Sequence, residues 1–330
     1  VAHVLDFDHK TRPMSAPLET PKFRLSRGQA LTPDEVSLMQ AMEAECAKCS
    51  DACGTDSAAA DIETLQYPPN FDTKIERGEP LFGTSKAHRW HVIMCLGVSA
   101  ARWPAHLDEN SDSYAAKATV ALDKVLTKTG NDKAFLHAIT RASENGVDPE
   151  IECDIIIFPE AVIYHAVPRD DIEALLTQHM VTNNADPAAA AAAAPSFPAP
   201  VPLPRGTSWV FICGHKLRDN RCWVAAQVLS KQFAMVREAL GLDESIEIDL
   251  ISHVGGHKYA GNVVIHRPTD AATLVAAADD AAAAKGALPE VTSTIWYGRV
   301  GPEHVRAIVE KTLLKGEVLL PLLRGRTGQW

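Results

Sequence analysis

Apolar residues gather along this chain in short β-rich runs separated by helical spacings of three and four, and the same order of signals appears twice. His91-Val-Ile-Met-Cys95 opens the first series and Trp209-Val-Phe-Ile-Cys213 the second, each predicting a strand that ends in a cysteine. Helical patterns follow over Ser113 to Thr127 and Asp219 to Leu240. Strand runs then return, at Cys153 to Phe158 in the first half and at Ile246 to Ser252 and Gly261 to His266 in the second. Both series close alike: the segment from Ile163 aligns with that from Trp296, setting Tyr164 against Tyr297 and Val167 against Val300, as a strand, a turn and a closing helix.

A repeat of this kind predicts two copies of one small α/β unit, each a central sheet with helices on its faces. The fold expected is α/β, two tandem thioredoxin-like domains. The first is degenerate, because Cys95 stands at the repeat position of Cys213 with no counterpart of Cys222 and no paired histidines. The expected boundaries are an N-terminal extension over 1–80, the degenerate domain over 81–185, an Ala/Pro-rich linker over 186–204 and the second domain over 205–330. Repeated prolines mark the linker, and scattered prolines with an acidic helical candidate from Thr32 to Cys46 mark the extension.

Composition narrows the function. With 330 residues and 46% hydrophobic content the chain can fill two cores, and a formal charge of −10 leaves no general basic field for phosphate backbones. Nucleic acid is therefore not expected as a partner. No apolar run approaches the length of a membrane span, the Ala188 to Ala194 stretch being flanked by prolines, so no membrane insertion is expected. Seven cysteines without a regular disulfide framework suit a reducing compartment, cytosol or mitochondrial matrix, rather than secretion. The chain opens on Val1, which suggests a processed or trimmed product.

The chemistry concentrates in the second half. Cys213 ends a strand and Cys222 opens the following helix, with a polar loop between them carrying Lys216, Arg218 and Arg221. Those cations and the helix N-terminus favour the thiolate, the form that binds metal. In His253-Val-Gly-Gly-His257 the glycines free the backbone so that both imidazoles can converge. Two thiolates and two imidazoles can hold tetrahedral zinc or a 2Fe–2S cluster, and the spacing leaves both open.

The strings Phe-Ile-Cys213-Gly-His-Lys-Leu-Arg-Asp-Asn-Arg-Cys222, His253-Val-Gly-Gly-His257-Lys-Tyr-Ala-Gly-Asn262 and Trp296-Tyr-Gly-Arg-Val300 resemble the sucrase/ferredoxin-like family of thioredoxin-like ferredoxins. Similarity extends into the first half through Leu81-Phe-Gly-Thr84, His91 to Cys95 and Trp103-Pro104. The resemblance implies a 2Fe–2S cluster rather than zinc, held by Cys213, Cys222, His253 and His257. It implies an electron-transfer or redox protein, more an electron carrier than a stand-alone enzyme, with a potential raised by its neutral ligands and electron uptake coupled to protons. The partner expected is a protein redox partner or a larger assembly, docking on Lys216, Arg218, Arg221 and Lys258; the rival expectation is a structural or assembly subunit that keeps the metal site.

Weaker signals complete the reading. Cys46, Cys49 and Cys53 would share one helix face, as a second thiol site for a metal or a reversible disulfide, and a thiol oxidoreductase using them is a third expectation. Asn262 could donate a hydrogen bond near the centre, Tyr259 is assigned to packing, and His88, His91 and Cys153 to ordinary core or surface roles. There is no phosphate loop, nucleotide fingerprint, nucleophile elbow or recognisable glycosidase carboxylate pair.

Overall fold

The computed structural model describes residues 62–129, 132–143, 146, 148–182, 197–269 and 291–327. Cys46, Cys49 and Cys53 and most of the linker lie outside them.

Within the first half the chain runs β1 (Trp90–Cys95), α1 (Tyr114–Leu126), β2 (Ala134–Ile139), β3 (Glu152–Phe158), β4 (Val162–Pro168) and α2 (Ile172–Thr177). A short β5 (Val201–Pro202) ends this series, and the second half repeats the order with β6 (Ser208–Cys213), α3 (Asn220–Ala239), β7 (Ile246–Ile251), β8 (Val263–Pro268), β9 (Thr292–Tyr297), α4 (Pro302–Ala307) and β10 (Leu323–Thr327). Pairing repeats as well. β1 lies parallel to β2 and antiparallel to β3, which pairs antiparallel with β4. β6 is parallel to β7 and antiparallel to β8, which pairs antiparallel with β9. Both α2 and α4 run on into π-helical turns, Gln178–Thr182 and Ile308–Leu313.

Local sequence accounts for these elements. Ser113 caps α1 by accepting from the Ala116 amide, and Asp219 caps α3 by accepting from the Arg221 amide. β1 and β6 are buried along their whole length, which is why they read as continuous apolar runs. Alternate residues serve different cores. Trp90, Val92 and Met94 of β1 pack under α1 and α2, and Val210 and Ile212 of β6 pack under α3 and α4. The intervening residues, Ile93 and Cys95 from β1 and Trp209, Phe211 and Cys213 from β6, meet in a third core between the two halves.

The molecule is therefore layered as helices, sheet, sheet and helices. Among the described residues hydrogen bonding makes the two sheets one of ten strands, in the order β10-β9-β8-β6-β7-β2-β1-β3-β4-β5, joined where β2 meets β7 antiparallel at Ile139 and Ile251. This corrects the expectation of helices on both faces of each unit. The inner face of each sheet is rich in large flat side chains, Phe158, Phe211, Trp209 and Trp296 among them, and it is covered by the other half's sheet.

Two segments outside the repeat also pack. Residues 62–80, assigned to the extension, strap the second half: Phe71 and Ile75 enter its core, the Leu65 amide donates to Gln232 Oε1 at 2.7 Å and the Tyr67 hydroxyl to the Val300 carbonyl at 2.6 Å. At the end of the linker, β5 edges the sheet on β4, and Phe197 and Leu203 are buried.

Candidate metal centre

β6 delivers Cys213 to the inner face at the strand's end, where its amide donates to the Asn262 carbonyl at 3.0 Å. Cys222 sits in the first turn of α3, buried, with its amide bonded to the carbonyl of the capping Asp219. The loop after β7 carries His253 and His257 through two left-handed glycines, Gly255 at φ 75° and Gly256 at φ 66°. At Gly256 a side chain has no room: a Cβ would stand 2.4 Å from Arg324 Nη2.

These elements bring ligand atoms of Cys213, Cys222 and His253 within 4.8 Å of one another. His257 stands outside that trio, its ring stacked on His253 with centroids 5.4 Å apart and an interplanar angle of 29°. The Nδ1 atoms of both imidazoles are buried and have no hydrogen-bond partner. Nδ1 of His257 comes no nearer than 3.9 Å to Asp219 Oδ2. Two buried acceptors or donors left open beside a buried cysteine pair are what a metal's ligands look like without the metal. The donor set fits a metal ion or a small cluster.

Electrostatics favours the same chemistry. The Cys222 thiol donates to Cys213, which holds the Cys213 thiol well below its usual range against the opposing effect of burial, with a hydrogen bond to His253 adding to the effect. Cys222 is pushed up by that same bond and by burial. His257 is lowered by desolvation, partly offset by Asp219, so its imidazole is neutral and able to bind metal at neutral pH.

Two residues important here went unnoticed in the sequence. His215, 2% exposed, donates through Nε2 to the Pro104 carbonyl at 2.6 Å and accepts the His253 amide on Nδ1 at 3.2 Å, so it orients the ligand loop from below. Its place in the Cys213-Gly-His215 string was the available signal. Arg324, also 2% exposed, has no carboxylate partner among the described residues and donates to the Gly255 carbonyl, Asn262 Oδ1, Thr84 Oγ1 and the Thr84 carbonyl. Burial lowers it to about 10, opposed first by the charge on Cys213. Nothing in the motif around Arg324 marks it, because it comes from β10.

The remaining candidates fall into place. Asn262 bridges the loop, donating to the Gly256 carbonyl at 3.0 Å while accepting from Arg324 at 2.8 Å. Tyr259 is buried and its hydroxyl donates to Glu79 at 3.0 Å. Of the four flanking cations, Arg221 is paired with Asp219 and Lys258 with Glu79, while Lys216 lies over the Trp223 ring and Arg218 reaches His106. Cys95 and Cys153 are buried free thiols, both pushed up chiefly by burial. His88 and His91 are buried.

The sucrase/ferredoxin-like family matches residues 81–325 of this chain. Among curated proteins it is similar to "Altered inheritance of mitochondria protein 32" of Clavispora lusitaniae, 30% identical over 292 residues, 82% of this chain and 92% of that protein. "Actin patches distal protein 1" of Saccharomyces cerevisiae is 27% identical over 295 residues, 83% of this chain and 85% of that protein. The mitochondrial-inheritance protein of Debaryomyces hansenii is 37% identical over 120 residues, 36% of each chain. No solved structure matches. These relatives correct the expected function. They are named for the inheritance of mitochondria and for actin patches, not for the passage of electrons, and the electron-transfer expectation is withdrawn together with its proton-coupled form and its structural-subunit rival. No helix among the described residues is long and apolar enough to cross a membrane.

Proposed function

The chain belongs to the sucrase/ferredoxin-like family, and from that premise we propose that it is an intracellular metal-centre protein acting in the processes its relatives are named for, mitochondrial inheritance and actin patches. Cys213, Cys222, His253 and His257 hold the metal group, a 2Fe–2S cluster, with zinc as the alternative occupant. The observation that carries this reading is the convergence of Cys213, Cys222 and His253 beside two buried imidazole nitrogens that have no partner. Bound there, the group ties the end of β6, the start of α3 and the loop after β7 to one point.

The repeated strand order and pairing support the finer view that each half is a thioredoxin-like unit, over 81–185 and 205–330, the first lacking ligands. A protein partner is in keeping with the exposed loop of Lys216, Leu217 and Arg218 beside the centre.

The test is metal and sulfide analysis with an absorption spectrum on anaerobically purified protein, followed by a strain carrying Cys213→Ser. Two irons and two sulfides per chain, lost in the variant together with normal mitochondrial inheritance, support the proposal. Zinc in their place selects the alternative occupant. Protein that stays free of metal after reconstitution overturns the proposal.

A further inference from the structure

The four proposed ligands are not held alike. Cys213 stands at a strand end, Cys222 in the first turn of a helix, and His253 on a backbone whose amide is tied to His215. His257 comes from a single 3-10 turn, His257–Tyr259, closed by the Tyr259 amide donating to the Gly256 carbonyl at 2.9 Å, and its side chain is 45% exposed. Gly255 and Gly256 precede that turn, so its own backbone does little to fix where the imidazole points.

The strap of residues 62–80 meets the turn and holds it. The Glu76 amide donates to the Lys258 carbonyl at 2.7 Å, one residue from His257. Oε2 of Glu79 accepts from both the Lys258 ammonium and the Tyr259 hydroxyl, the latter at 3.0 Å. Arg299 closes the arrangement: Nε donates to the Glu76 carbonyl and Nη2 to the Glu79 carbonyl, both at 2.6 Å, while its amide donates to the Tyr259 carbonyl at 3.0 Å. On the cysteine side Arg221, next to Cys222, donates to the Lys74 carbonyl at 3.3 Å.

These contacts outweigh a chance surface encounter. An exposed ion pair such as Glu79 with Lys258 contributes little alone, but the same carboxylate takes the hydroxyl of Tyr259, whose ring is buried, and the strap is anchored in the core by Phe71 and Ile75, 3% and 6% exposed. The left-handed backbone at Arg299, φ 57°, belongs to the repeat, since Ala166 holds φ 48° at the matching place. The guanidinium that reaches the strap is what the ligand-bearing half adds.

We infer that residues 74–79 are a clasp on the metal loop, in which Glu79 and Arg299 are positioning residues for the His257 imidazole. The inference rests on the metal-centre reading proposed above. A ligand on a free turn must be ordered when metal binds, and a clasp that orders the turn beforehand removes that cost. The clasp precedes residue 81, where the family match begins, so a chain cut at that boundary would carry His257 on an unheld turn.

The experiment uses the whole chain as wild type, Glu79→Ala and Arg299→Asn, asparagine being at ease in the left-handed region. Two quantities are read: the rate at which the purified protein gives up its metal to a chelator, and the mobility of the His253 and His257 rings by NMR relaxation on metal-free protein. The expected result is release about 10-fold faster in each variant, with the His257 ring loosened and the His253 ring as in wild type. Wild-type behaviour in either readout removes that residue from the clasp, and in both variants it overturns the clasp while leaving the metal reading standing. Equal loosening of the two rings also overturns it, because the strap would then act on the fold as a whole. A wild type that holds neither iron nor zinc after reconstitution overturns the metal reading and the clasp with it.

Discussion

Cys95 and Cys213 stand at the same place in two copies of one topology, each at the inward-facing end of a first strand, yet their thiols are driven in opposite directions. Burial pushes Cys95 up, and Cys153 and Asp154 push it further. Cys213 is as deeply buried, but the Cys222 thiol donates to it and His253 adds a second bond, so the thiolate is favoured. The difference traces to single positions. Three residues after the Asp219 cap stands Cys222, and three residues after the Ser113 cap stands Ala116. One scaffold can therefore house a ligand site or a dry core, and the neighbours of one cysteine decide which.

The sharpest way to break this comparison is to remove each cysteine in turn. Cys213→Ser is expected to abolish metal uptake, while Cys95→Ser leaves it at the wild-type level, as elemental analysis of the purified proteins would show. Loss of metal in both variants would mean that the two positions are not the contrast drawn here.

Acid probes the core that joins the halves. Burial holds His88 down to about 4 from an ordinary 6.5, and the hydrogen bond from its Nδ1 to the Lys86 carbonyl opposes that only partly. Between those values the unfolded chain takes a proton that the folded chain refuses, so stability is intact above about pH 6.5 and falls as pH drops toward 4. At about 1.4 kcal/mol per unit, His88 alone accounts for roughly 3 kcal/mol across that window. His91 and His266 are driven down in the same direction by burial. Urea unfolding at pH 7 and pH 4.5 should show the loss, and His88→Phe should shrink it. An undiminished loss in that variant would assign it to other groups.

Arg324 sharpens the comparison from the ligand-bearing half. It reaches under the histidine loop from β10, whose counterpart at the opposite edge of the sheet is the two-residue β5. Arg324→Met strips the Gly255 carbonyl and Asn262 Oδ1 of their donor and is expected to cost on the order of 3 kcal/mol, read from the denaturant midpoint. Its metal should also be released faster to a chelator. Unchanged stability and release would leave the buried guanidinium without a role.

Legibility in the sequence followed how local each feature is. Helices α1 and α3 were read almost to the residue, because a cap and an apolar spacing lie within each segment. The strands carrying Cys95 and Cys213 were legible for the same reason. β2 was missed: Ala134–Ile139 includes His137, whose polarity interrupts the apolar run and makes sense only against His91. The face-to-face sheets were missed because a side chain's covering layer is not encoded in its own strand, and aromatic inner faces fit a helix or another sheet equally well. Of the site, the ligand motif was legible and its support Arg324 was not, since it arrives from β10.

The smallest effect expected tests how far the repeat is energetic as well as topological. Tyr164 and Tyr297 match in sequence, and each hydroxyl bonds to a residue fifteen positions on. The Tyr164 hydroxyl lies 2.9 Å from His179 Nδ1, and Nε2 of that ring stands 3.3 Å from Glu160 Oε2. Thr312 donates to the Glu317 carbonyl, so it accepts from Tyr297 at 2.8 Å. Tyr297 has one further duty: its oxygen accepts the Leu319 amide at 3.0 Å, in the segment leading to β10. Tyr164→Phe removes one bond and should cost about 1 kcal/mol, whereas Tyr297→Phe removes two, leaves the Leu319 amide without its partner and should cost about 2 kcal/mol. Equal losses, measured by denaturant midpoints at unchanged slope, would show that the connection to β10 draws no stability from this tyrosine and that the two closing turns are energetically the same device.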